Sequence, residues 1–592
     1  MEIIMEKILY NPINDRVPNG TLKTNQVVKF NLKIRCDLLI NKVILVLRYE
    51  KTNETKFLEC NIVDYDINYF VYGVNTTLDT SGLYWYHFEV DTNIGKYYVN
   101  KSDRYESSLN EQEEFPLTVV KNEIRMNKQF TGGIIYHIFV DRFNRVGKVN
   151  VRDGFVYRDD WGGSLIKNTQ DRTELNYEVF GGNLQGIIAK LDYLRDLGVT
   201  TIYLSPIFMA PSNHKYDTSD YSKIDPMYGD QRTLLQLIIE AEQRNIGVIL
   251  DGVFNHIGSD SIYFNKENKF DEVGAYNSKE SKYYDWFRFN NWPDDYDCWW
   301  GIKTLPSVNQ SNKDLQEYMS SIIKRYMSMG LQGFRLDVVD EIHHELLTKI
   351  CNSIYSVKKD ALIIGEVWED ASTKISYGNR RGYFLGEELN SVMNYPLKNA
   401  IIDYALTKNC DSFYYVYQMI EDNYPNYVKH NLMNLIGSHD TKRILSILSS
   451  KDNPIQLLKI VSGLQFTFYG VPSIFYGDEV GVEDDGSDFS RKCYPWGNEN
   501  QIILNWYKKL SKIRRYKVFK EGDMKVIKAE DGVIVFKRIY KDEEVLIITN
   551  MSNGLYEYED SNKYKSLLTD QVKDKAEVEI NGIDILLKQK NK

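Results

Sequence analysis

The first 122 residues alternate apolar and polar positions with the period of two that is typical of β-strands. Stretches such as "VVKFNLKIRC", "KVILVLRYEK" and "GLYWYHFEV" are rich in β-branched and aromatic residues and are separated by turn residues. No helical periodicity interrupts them. This pattern predicts an N-terminal β-sandwich domain over residues 1–122.

From Gly132 onward, short apolar strands alternate with amphipathic helical patterns. "GIIYHIFV", "TIYLSP" and "VILDGVFNH" indicate strands, with "NLQGIIAKLDYLRDLG" and "RTLLQLIIEAEQRNIG" between them as helices. Asn183 is placed to cap the start of the first helix and Gly198 its end. The alternation continues through "GFRLD", "LIIGEVW", "SVMNYP", "LMNLIGSHD" and "VPSIFYGDE". About eight such units predict an α/β fold, a (β/α)₈ barrel over residues 123–516.

Two segments depart from this rhythm. Residues 257 to about 315, after the third strand, are polar and aromatic with few periodic apolar positions, which predicts a lobe inserted over the barrel mouth. After the helical pattern "NWYKKLSKIRRY", β patterning returns in "GVIVFKRIY" and "EVLIITNMS" and predicts a small C-terminal β-domain over residues 517–592. A length of 592 residues with 43% hydrophobic residues fits several domains with buried cores.

Charge and composition exclude several classes of protein. The net charge of −10 and the absence of a basic run exclude a nucleic-acid binder, which needs a basic face. No apolar run reaches the length of a membrane-spanning helix. The opening "MEIIMEKILYNPINDR" lacks a signal-peptide pattern, and the six cysteines have no CxxC spacing. We therefore expect a cytoplasmic protein with reduced thiols.

An arginine and an aspartate interrupt the apolar strand "GFRLDVVDEI". Side chains two residues apart point to the same side of a strand, so Arg335 and Asp337 should both face the barrel mouth at the end of the fourth strand. A guanidinium stabilises a neighbouring carboxylate and lowers its pKa, as a carboxylate nucleophile requires. Taken alone, the pair is better explained as a buried structural ion pair, and only the neighbouring strand ends change that interpretation.

Other predicted strand ends carry polar residues too. Glu366 ends the fifth strand, and Trp368 lies two residues further on. An apolar ring at that position would raise the pKa of Glu366 and keep it protonated, as a general acid requires. Structural roles explain each cluster separately, but not the gathering of several carboxylates at one rim. Two opposed carboxylates, an acid and a nucleophile, are the chemistry of retaining glycoside hydrolysis. The remaining strand-end residues are Asp251, Asn255, His256, His439 and Asp440.

Four motifs mark these strand ends, namely "DGVFNH" (251–256), "GFRLDVVDE" (333–341), "GEVW" (365–368) and "IGSHD" (436–440). In order and spacing they resemble those of the α-amylase family, glycoside hydrolase family 13. The resemblance covers the whole barrel. It implies that Asp337 is the nucleophile, that Glu366 is the general acid/base, and that Asp440 holds sugar hydroxyls and helps to distort the ring. It also implies that Asp251 and Asn255 organise the site.

The resemblance implies sugar contacts as well. "SNHKYDTSDY" is similar to the family's stretch after strand two, in which Tyr216 stacks on the sugar with His214 nearby. "DGSDFSRKCYPW" is similar to the loop after strand eight, in which Asp488 and Arg491 contact donor-side sugars. The other implied contacts around the sugar are Arg335, His256 and His439.

Two tryptophans in the predicted lobe add a further candidate. Trp299 and Trp300 could stack on glucose units, or they could belong to an aromatic core of the lobe. The N-terminal sandwich, "HKYDTSDY" and "LPSVN" (305–309) resemble the neopullulanase, cyclomaltodextrinase, maltogenic amylase and amylopullulanase branches of the family. These branches act on α-glucans.

The resemblance implies a retaining hydrolase of α-1,4-glucosidic bonds in maltodextrins, cyclodextrins or pullulan. An α-1,6-cleaving enzyme of the pullulanase type and a transglycosylase are alternatives, because the same carboxylates serve all three. A non-catalytic glucan-binding protein is the alternative from a different class. For the N-terminal sandwich the resemblance favours dimerisation, as a homodimer, or packing against the barrel over glucan binding.

The glycosidic chemistry requires no cofactor. Members of the family often bind calcium in a loop after "DRF", where this chain keeps Asn144 and Asn183 but few carboxylates. Calcium needs several oxygen ligands with sufficient negative charge, so we expect this structural site to be weak or absent and assign no metal ligand.

Overall fold

The chain folds into a β-sandwich, a parallel barrel and a second β-domain, in the order that the sequence pattern predicts. This is a computed structural model, and it describes residues 7–102, 105–109, 113–121, 127, 129–165, 176–484 and 491–589. The inserted lobe follows the third barrel strand as short strands and turns within the barrel domain.

The N-terminal sandwich consists of two sheets with a core of its own. Along Val27–Arg35 every second side chain is buried, as expected for a strand with one face on a core. One sheet contains Ile8–Leu9, Arg16–Val17, Val27–Arg35, Asn61–Tyr65 and Tyr69–Thr77. The other contains Leu22–Lys23, Ile40–Tyr49, Thr55–Glu59, Gly82–Thr92, Gly95–Lys101, Ser107–Leu109 and Phe115–Val120. A short helix, Pro12–Asp15, precedes the second strand.

Eight parallel strands form the barrel in chain order. They are β1 (Ile135–Ile138), β2 (Thr201–Leu204), β3 (Gly247–Gly252), β4 (Gly333–Leu336), β5 (Leu362–Gly365), β6 (Ser391–Val392), β7 (Met433–Leu435) and β8 (Val471–Phe475). β8 pairs with β1, and a parallel bridge between Met393 and Met433 joins the β6 and β7 edges. The barrel is therefore closed, and the predicted fold class is confirmed.

Helices surround the barrel, and one of them differs from the prediction. The pattern from Asn183 to Gly198 forms two helices rather than one, with Ala189 and Lys190 between them. Both predicted caps are confirmed, since Asn183 accepts from the Gly186 amide and Gly198 is left-handed at φ 93°. The helices are Val140–Phe143, Leu184–Ile188, Leu191–Leu197, Gln231–Glu242, Lys313–Met327, His344–Val357, Tyr395–Thr407, Asp411–Asn423, Asn426–Lys429, Ile444–Leu448, Pro454–Thr467, Gln501–Ile513 and Lys517–Glu521.

The loops after the strands carry short elements of their own. In the inserted lobe, aromatic rings pack on Phe264, with Tyr296 at a centroid distance of 4.7 Å and Phe287 at 4.8 Å. The two-stranded ribbons are Val156–Tyr157 with Glu178–Val179, Phe208–Met209 with Asp220–Ile224, Phe289–Asn291 with Asp295–Tyr296, and Ile375–Ser376 with Asn379–Arg380. The 3₁₀ turns are Tyr284–Trp286, Trp299–Gly301, Val339–Glu341 and Asp478–Val480.

The C-terminal domain packs on the barrel helices. Arg538 is fully buried there, and its Nη1 donates to the carbonyl oxygens of Thr467 and Phe468 at 2.7 and 2.9 Å. Its main sheet contains Asp523–Glu530, Val533–Tyr540, Glu543–Asn550, Tyr564–Ser566, Val572–Lys573 and Gly582–Lys588, and Tyr556–Tyr558 pairs with Ala576–Val578. Within the described residues, no helix has the length and apolar character needed to cross a membrane.

A buried ion pair joins the N-terminal sandwich to the barrel. Arg16 Nη2 donates to Asp422 Oδ1 at 2.5 Å, and both side chains are fully buried. Tyr105 Oη donates to the other carboxylate oxygen at 3.2 Å. Burial raises the pKa of Asp422 to about 6 even though Arg16 opposes that shift. The ion pair therefore links the two domains. Separating them would leave two buried charges without a partner.

We expect Arg16→Met to reduce the free energy of unfolding by about 3–5 kcal/mol, because it leaves Asp422 buried without its partner. Urea unfolding at neutral pH measures this change. Arg35→Met is the matched control, since Arg35 pairs with Asp37 at the surface and such pairs contribute about 1 kcal/mol or less. Equal losses in the two variants would contradict the prediction.

Candidate active site

One buried guanidinium lies where β3, β4 and β5 end. Arg335 Nη1 donates to Asp251 Oδ1 at 2.9 Å and to Asp337 Oδ1 at 2.8 Å. Its Nη2 lies 2.9 Å from Glu366 Oε2. Arg335 is fully buried, and the three carboxylates come from three consecutive strand ends. The pair predicted from the β4 sequence is therefore part of a four-residue cluster and not an isolated ion pair.

The backbone turns sharply directly after Asp337. Val338 has a left-handed φ of 37°, a conformation that β-branched residues rarely adopt. In this conformation its amide donates to Glu366 Oε2 at 2.8 Å, while the Asp337 amide donates to the Gly252 carbonyl at 3.0 Å. The strained turn thus fixes Asp337 and Glu366 relative to each other.

Burial raises the pKa of Asp337 well above its usual value. Arg335 lowers that pKa, whereas the carboxylates of Glu366 and Asp251 raise it further. The expectation that Arg335 would give Asp337 a lowered pKa is therefore wrong in its net direction, because burial outweighs a guanidinium that serves three carboxylates. The protonation of Asp337 is therefore set by its burial and by charges on neighbouring strands, and not by Arg335 alone.

The ring next to Glu366 has two functions. Trp368 stacks on Tyr395 with a centroid distance of 3.8 Å, so it is an apolar wall of the site, as the sequence suggests. Its indole N–H also donates to Glu366 Oε1 at 3.2 Å. The side chain that was expected only as an apolar neighbour therefore also orients the carboxylate.

The opposite wall is formed by the residues after β2 and β7. Tyr216 Oη donates to Asp251 Oδ2 at 2.7 Å and lies 2.6 Å from His439 Nε2. His439 Nε2 lies 3.0 Å from Asp440 Oδ2. Burial raises the pKa of Asp440, but His439 and Arg491 lower it more strongly, and the result is a pKa well below the usual range. The residues around Asp440 thus favour its ionised form.

The other predicted sugar contacts form ring stacks of their own. The His214 ring lies 6.0 Å from that of Tyr216. His256 stacks on Trp299 at 5.1 Å, and Trp299 stacks on Trp300 at 5.1 Å. Trp300 is 76% exposed, so it does not belong to the aromatic core of the lobe.

The loop after β8 reaches the site through Arg491. Its Nη2 lies 3.7 Å from Asp440 Oδ1, and its Nε donates to the His439 carbonyl at 3.2 Å. Asp488, which the resemblance pairs with it, lies outside the described residues. Arg491 is thus placed beside the third carboxylate.

Two buried ring nitrogens remain available for a ligand. His256 Nε2 and His439 Nδ1 have no hydrogen-bond partner among the described residues, although both side chains are 1% exposed. Buried polar atoms are normally satisfied, so these two mark positions where a sugar hydroxyl would complete the hydrogen bonding.

Sequence reasoning missed the contribution of β1 and β2. Tyr203 Oη donates to Asp251 Oδ2 at 2.5 Å, and its ring stacks on His137 at 4.2 Å. His137 in turn meets the His439 ring edge-on at 5.2 Å. The sequence does contain a signal for these two residues. His137 in "YHIFV" and Tyr203 in "IYLSP" are polar aromatic residues inside otherwise apolar strands.

The residues considered for calcium do not fit such a site. Asn183 Oδ1 accepts from the Gly186 amide at 2.7 Å as a helix cap, and Asn144 Nδ2 donates to the Gly186 carbonyl at 3.0 Å. In the described part of the chain, no group of three or more His, Cys, Asp or Glu side chains is placed to hold a metal ion.

A closed parallel barrel with paired carboxylates at its strand ends is an arrangement found in barrel glycoside hydrolases. The chain belongs to the α-amylase family, because the model of the α-amylase catalytic domain matches residues 137–514. A cyclomaltodextrinase from Thermoanaerobacter pseudethanolicus is 36% identical over 433 residues, which is 71% of this chain and 70% of the relative.

Two other relatives match nearly the whole chain. An amylopullulanase from Thermoanaerobacterium saccharolyticum is 32% identical over 628 residues, covering 91% of this chain and 48% of the relative. The chain thus spans about half the length of this relative. It spans a smaller share of the other two amylopullulanases that it matches. The solved structure of the type III pullulan hydrolase from Thermococcus kodakarensis superposes with a TM-score of 0.70 at 26% identity, over 98% of this chain and 100% of that chain.

We expect His256 to make the fold sensitive to acid. Burial lowers the pKa of His256 from 6.5 to about 4, so the unfolded chain binds a proton between these values that the folded chain does not. The associated stability is complete above pH 6.5 and is lost as the pH falls towards 4. His256→Gln should therefore reduce the slope of unfolding free energy against pH by up to about 1.4 kcal/mol per pH unit in this window.

Urea unfolding between pH 4 and 7 measures that slope. His344→Gln is the control, because the hydrogen bond to Glu388 raises the pKa of His344 above 6.5. Below pH 6.5 this histidine is protonated in the folded and the unfolded chain alike, so its removal should leave the slope between pH 4 and 6.5 unchanged. The same change in both variants would count against the prediction.

Proposed function

We propose that the protein is a retaining hydrolase of α-1,4-glucosidic bonds in maltodextrins, cyclodextrins or pullulan. The observation that carries the proposal is the single guanidinium of Arg335, which holds Asp337 and Glu366 on adjacent strand ends. Support also comes from the relatives, whose names include cyclomaltodextrinase, maltogenic α-amylase and neopullulanase.

The site supports a two-step reaction. In the first step Glu366 donates its proton to the glycosidic oxygen while an oxygen of Asp337 bonds to the anomeric carbon, so the glycosidic bond breaks and an ester forms. In the second step Glu366 takes a proton from a water molecule whose oxygen attacks the same carbon, and Asp337 leaves as the carboxylate. Asp440 and the free nitrogens of His256 and His439 would hold the hydroxyls of the reacting sugar.

The alternative activities differ in the acceptor of the second step, which is water or a sugar hydroxyl, and in the linkage that is cleaved, which is α-1,4 or α-1,6. If a sugar hydroxyl replaces water in the second step, the same residues perform transglycosylation. The match to amylopullulanases over 91% of the chain favours testing α-1,6 cleavage too. A purely glucan-binding role is less well supported, because binding alone gives no reason for a strained Val338 turn that presents an amide to Glu366.

We also propose that the activity needs no metal ion, since the reaction requires only the carboxylates. We propose further that the protein assembles as a homodimer and is located in the cytoplasm. Sedimentation at several concentrations tests the first, and fractionation of the native cells tests the second. Dimerisation of the full chain but not of a chain lacking the sandwich would support the dimerisation role of that domain.

The product pattern on pullulan separates the specificities. We expect panose, because α-1,4 cleavage of this regular polymer yields it, whereas α-1,6 cleavage yields maltotriose. Chromatography of the products decides between them. Asp337→Asn is the control and should yield neither product, since an amide cannot form the glycosyl ester. Equal silence of wild type and control on pullulan and maltodextrins would overturn the hydrolase proposal.

The role of Glu366 has a test of its own. Glu366→Gln should lower kcat on maltodextrins by about 10²–10⁴-fold, because the leaving oxygen is no longer protonated. On an α-glucosyl fluoride the loss in the first step should be much smaller, since fluoride leaves without a proton. Steady-state and burst kinetics on both substrates measure the difference. Equal losses on the two substrates would contradict the role as general acid.

A further inference from the structure

Two exposed aromatic side chains meet at one carboxylate on the rim of the barrel. Trp300 is 76% exposed and Tyr377 is 72% exposed. Trp300 Nε1 donates to Glu341 Oε1 at 3.3 Å, and Tyr377 Oη donates to Glu341 Oε2. The polar edges of both rings therefore converge on Glu341. Exposed side chains of this size are common on protein surfaces, but two rings held by one carboxylate have a restricted orientation.

The backbone at both rings is unfavourable for large side chains. Trp300 has a φ of 48° and Tyr377 a φ of 49°, and each precedes a glycine with positive φ, Gly301 or Gly378. In the hairpin Ile375–Arg380 this makes Tyr-Gly the two-residue turn, at which Asn-Gly is the favoured sequence. Non-glycine residues in this region are strained, and such strain is concentrated at functional sites.

Trp300 is linked to the candidate active site through a series of stacked rings. Trp300 stacks on Trp299, and Trp299 stacks on His256, whose Nε2 is unpartnered in the described chain. Glu341 lies in the same β4 loop as Asp337, four residues further on. A chain that leaves the cleavage point along this wall would meet the rings next.

The hairpin that carries Tyr377 is fixed on two sides. Ser376 Oγ donates to the Asp340 carbonyl at 2.6 Å, which joins the hairpin to the β4 loop. On the other side Arg380 Nε donates to both oxygens of Glu50 at 2.9 Å, and Glu50 belongs to the N-terminal sandwich. The position of Tyr377 is thus set by the barrel and the sandwich together.

We propose that Trp300 and Tyr377, oriented by Glu341, form a stacking platform for the glucose units of a long α-glucan outside the cleavage point. Glucose has apolar C–H faces that pack on aromatic rings, and α-glucans present them repeatedly. Glu341 keeps further acceptor capacity for sugar hydroxyls. This inference rests on the proposed function and adds to it a reason for preferring long substrates.

The test compares kcat/KM on maltoheptaose with kcat/KM on maltotriose. In Tyr377→Ala we expect this ratio to fall by roughly 3- to 10-fold through a higher KM for maltoheptaose, because one stacking contact is lost. Trp300→Ala should act in the same direction. The matched control is Tyr65→Ala, whose side chain is 74% exposed on the sandwich, and it should leave the ratio unchanged.

Two further variants separate the ring face from its hydrogen bond. Tyr377→Phe keeps the face and should retain most of the ratio, and a ratio as low as that of Tyr377→Ala would overturn stacking. Glu341→Gln removes an acceptor from one of the rings and should lower the ratio by less than Tyr377→Ala through KM, with kcat retained. Thermal unfolding of each variant verifies that it is folded.

The outcomes distinguish this inference from the proposed function. If the wild type hydrolyses both oligosaccharides and Tyr377→Ala has the wild-type ratio, the platform is wrong and the hydrolase proposal stands. If the wild type hydrolyses neither, calorimetric titration with both decides. Tighter binding of maltoheptaose that Tyr377→Ala weakens would support the platform in a glucan-binding protein, and no such difference would overturn it.

Discussion

The arrangement of the site depends on one buried positive charge. A guanidinium deprived of water is very costly unless carboxylates surround it, and Arg335 is fully buried at the barrel mouth. Asp251, Asp337 and Glu366 supply three negative groups against one positive charge. This excess adds to the effect of burial and raises the pKa of Asp337. The ion cluster around Arg335 therefore also sets the electrostatics of the carboxylates beside it.

The closed barrel gives this cluster its geometry. Each of β3, β4 and β5 pairs along its length with its neighbour, so the residues that follow their last paired positions are brought side by side. The Val338 turn stores strain that an isolated loop would release, and the paired strands on both sides prevent that release. The two flanking β-domains pack outside the barrel, and the Arg16–Asp422 pair fixes the sandwich there.

Much of this arrangement could be predicted from the sequence, because it follows from periodicity. The eight strands, the caps Asn183 and Gly198, and the strand-end positions of Asp337 and Glu366 all depend on local patterns. The break at Ala189 and Lys190 could not be predicted, because apolar spacing is the same for one helix as for two. The raised pKa of Asp337 could not be predicted either, because it results from burial and from carboxylates on other strands.

The sequence departs most clearly from local residue preferences at the rim of the barrel. A two-residue turn of the Tyr377–Gly378 type should carry asparagine, and the exposed Trp300 should be buried or replaced, if stability alone decided the sequence. Departures from local preference are expected where function compensates for them. Because Arg380 on the same hairpin is held by Glu50, the sandwich contributes to the position of Tyr377 without touching the catalytic cluster. If the proposed platform operates, packing of this domain would therefore also affect the length of glucan that the barrel prefers.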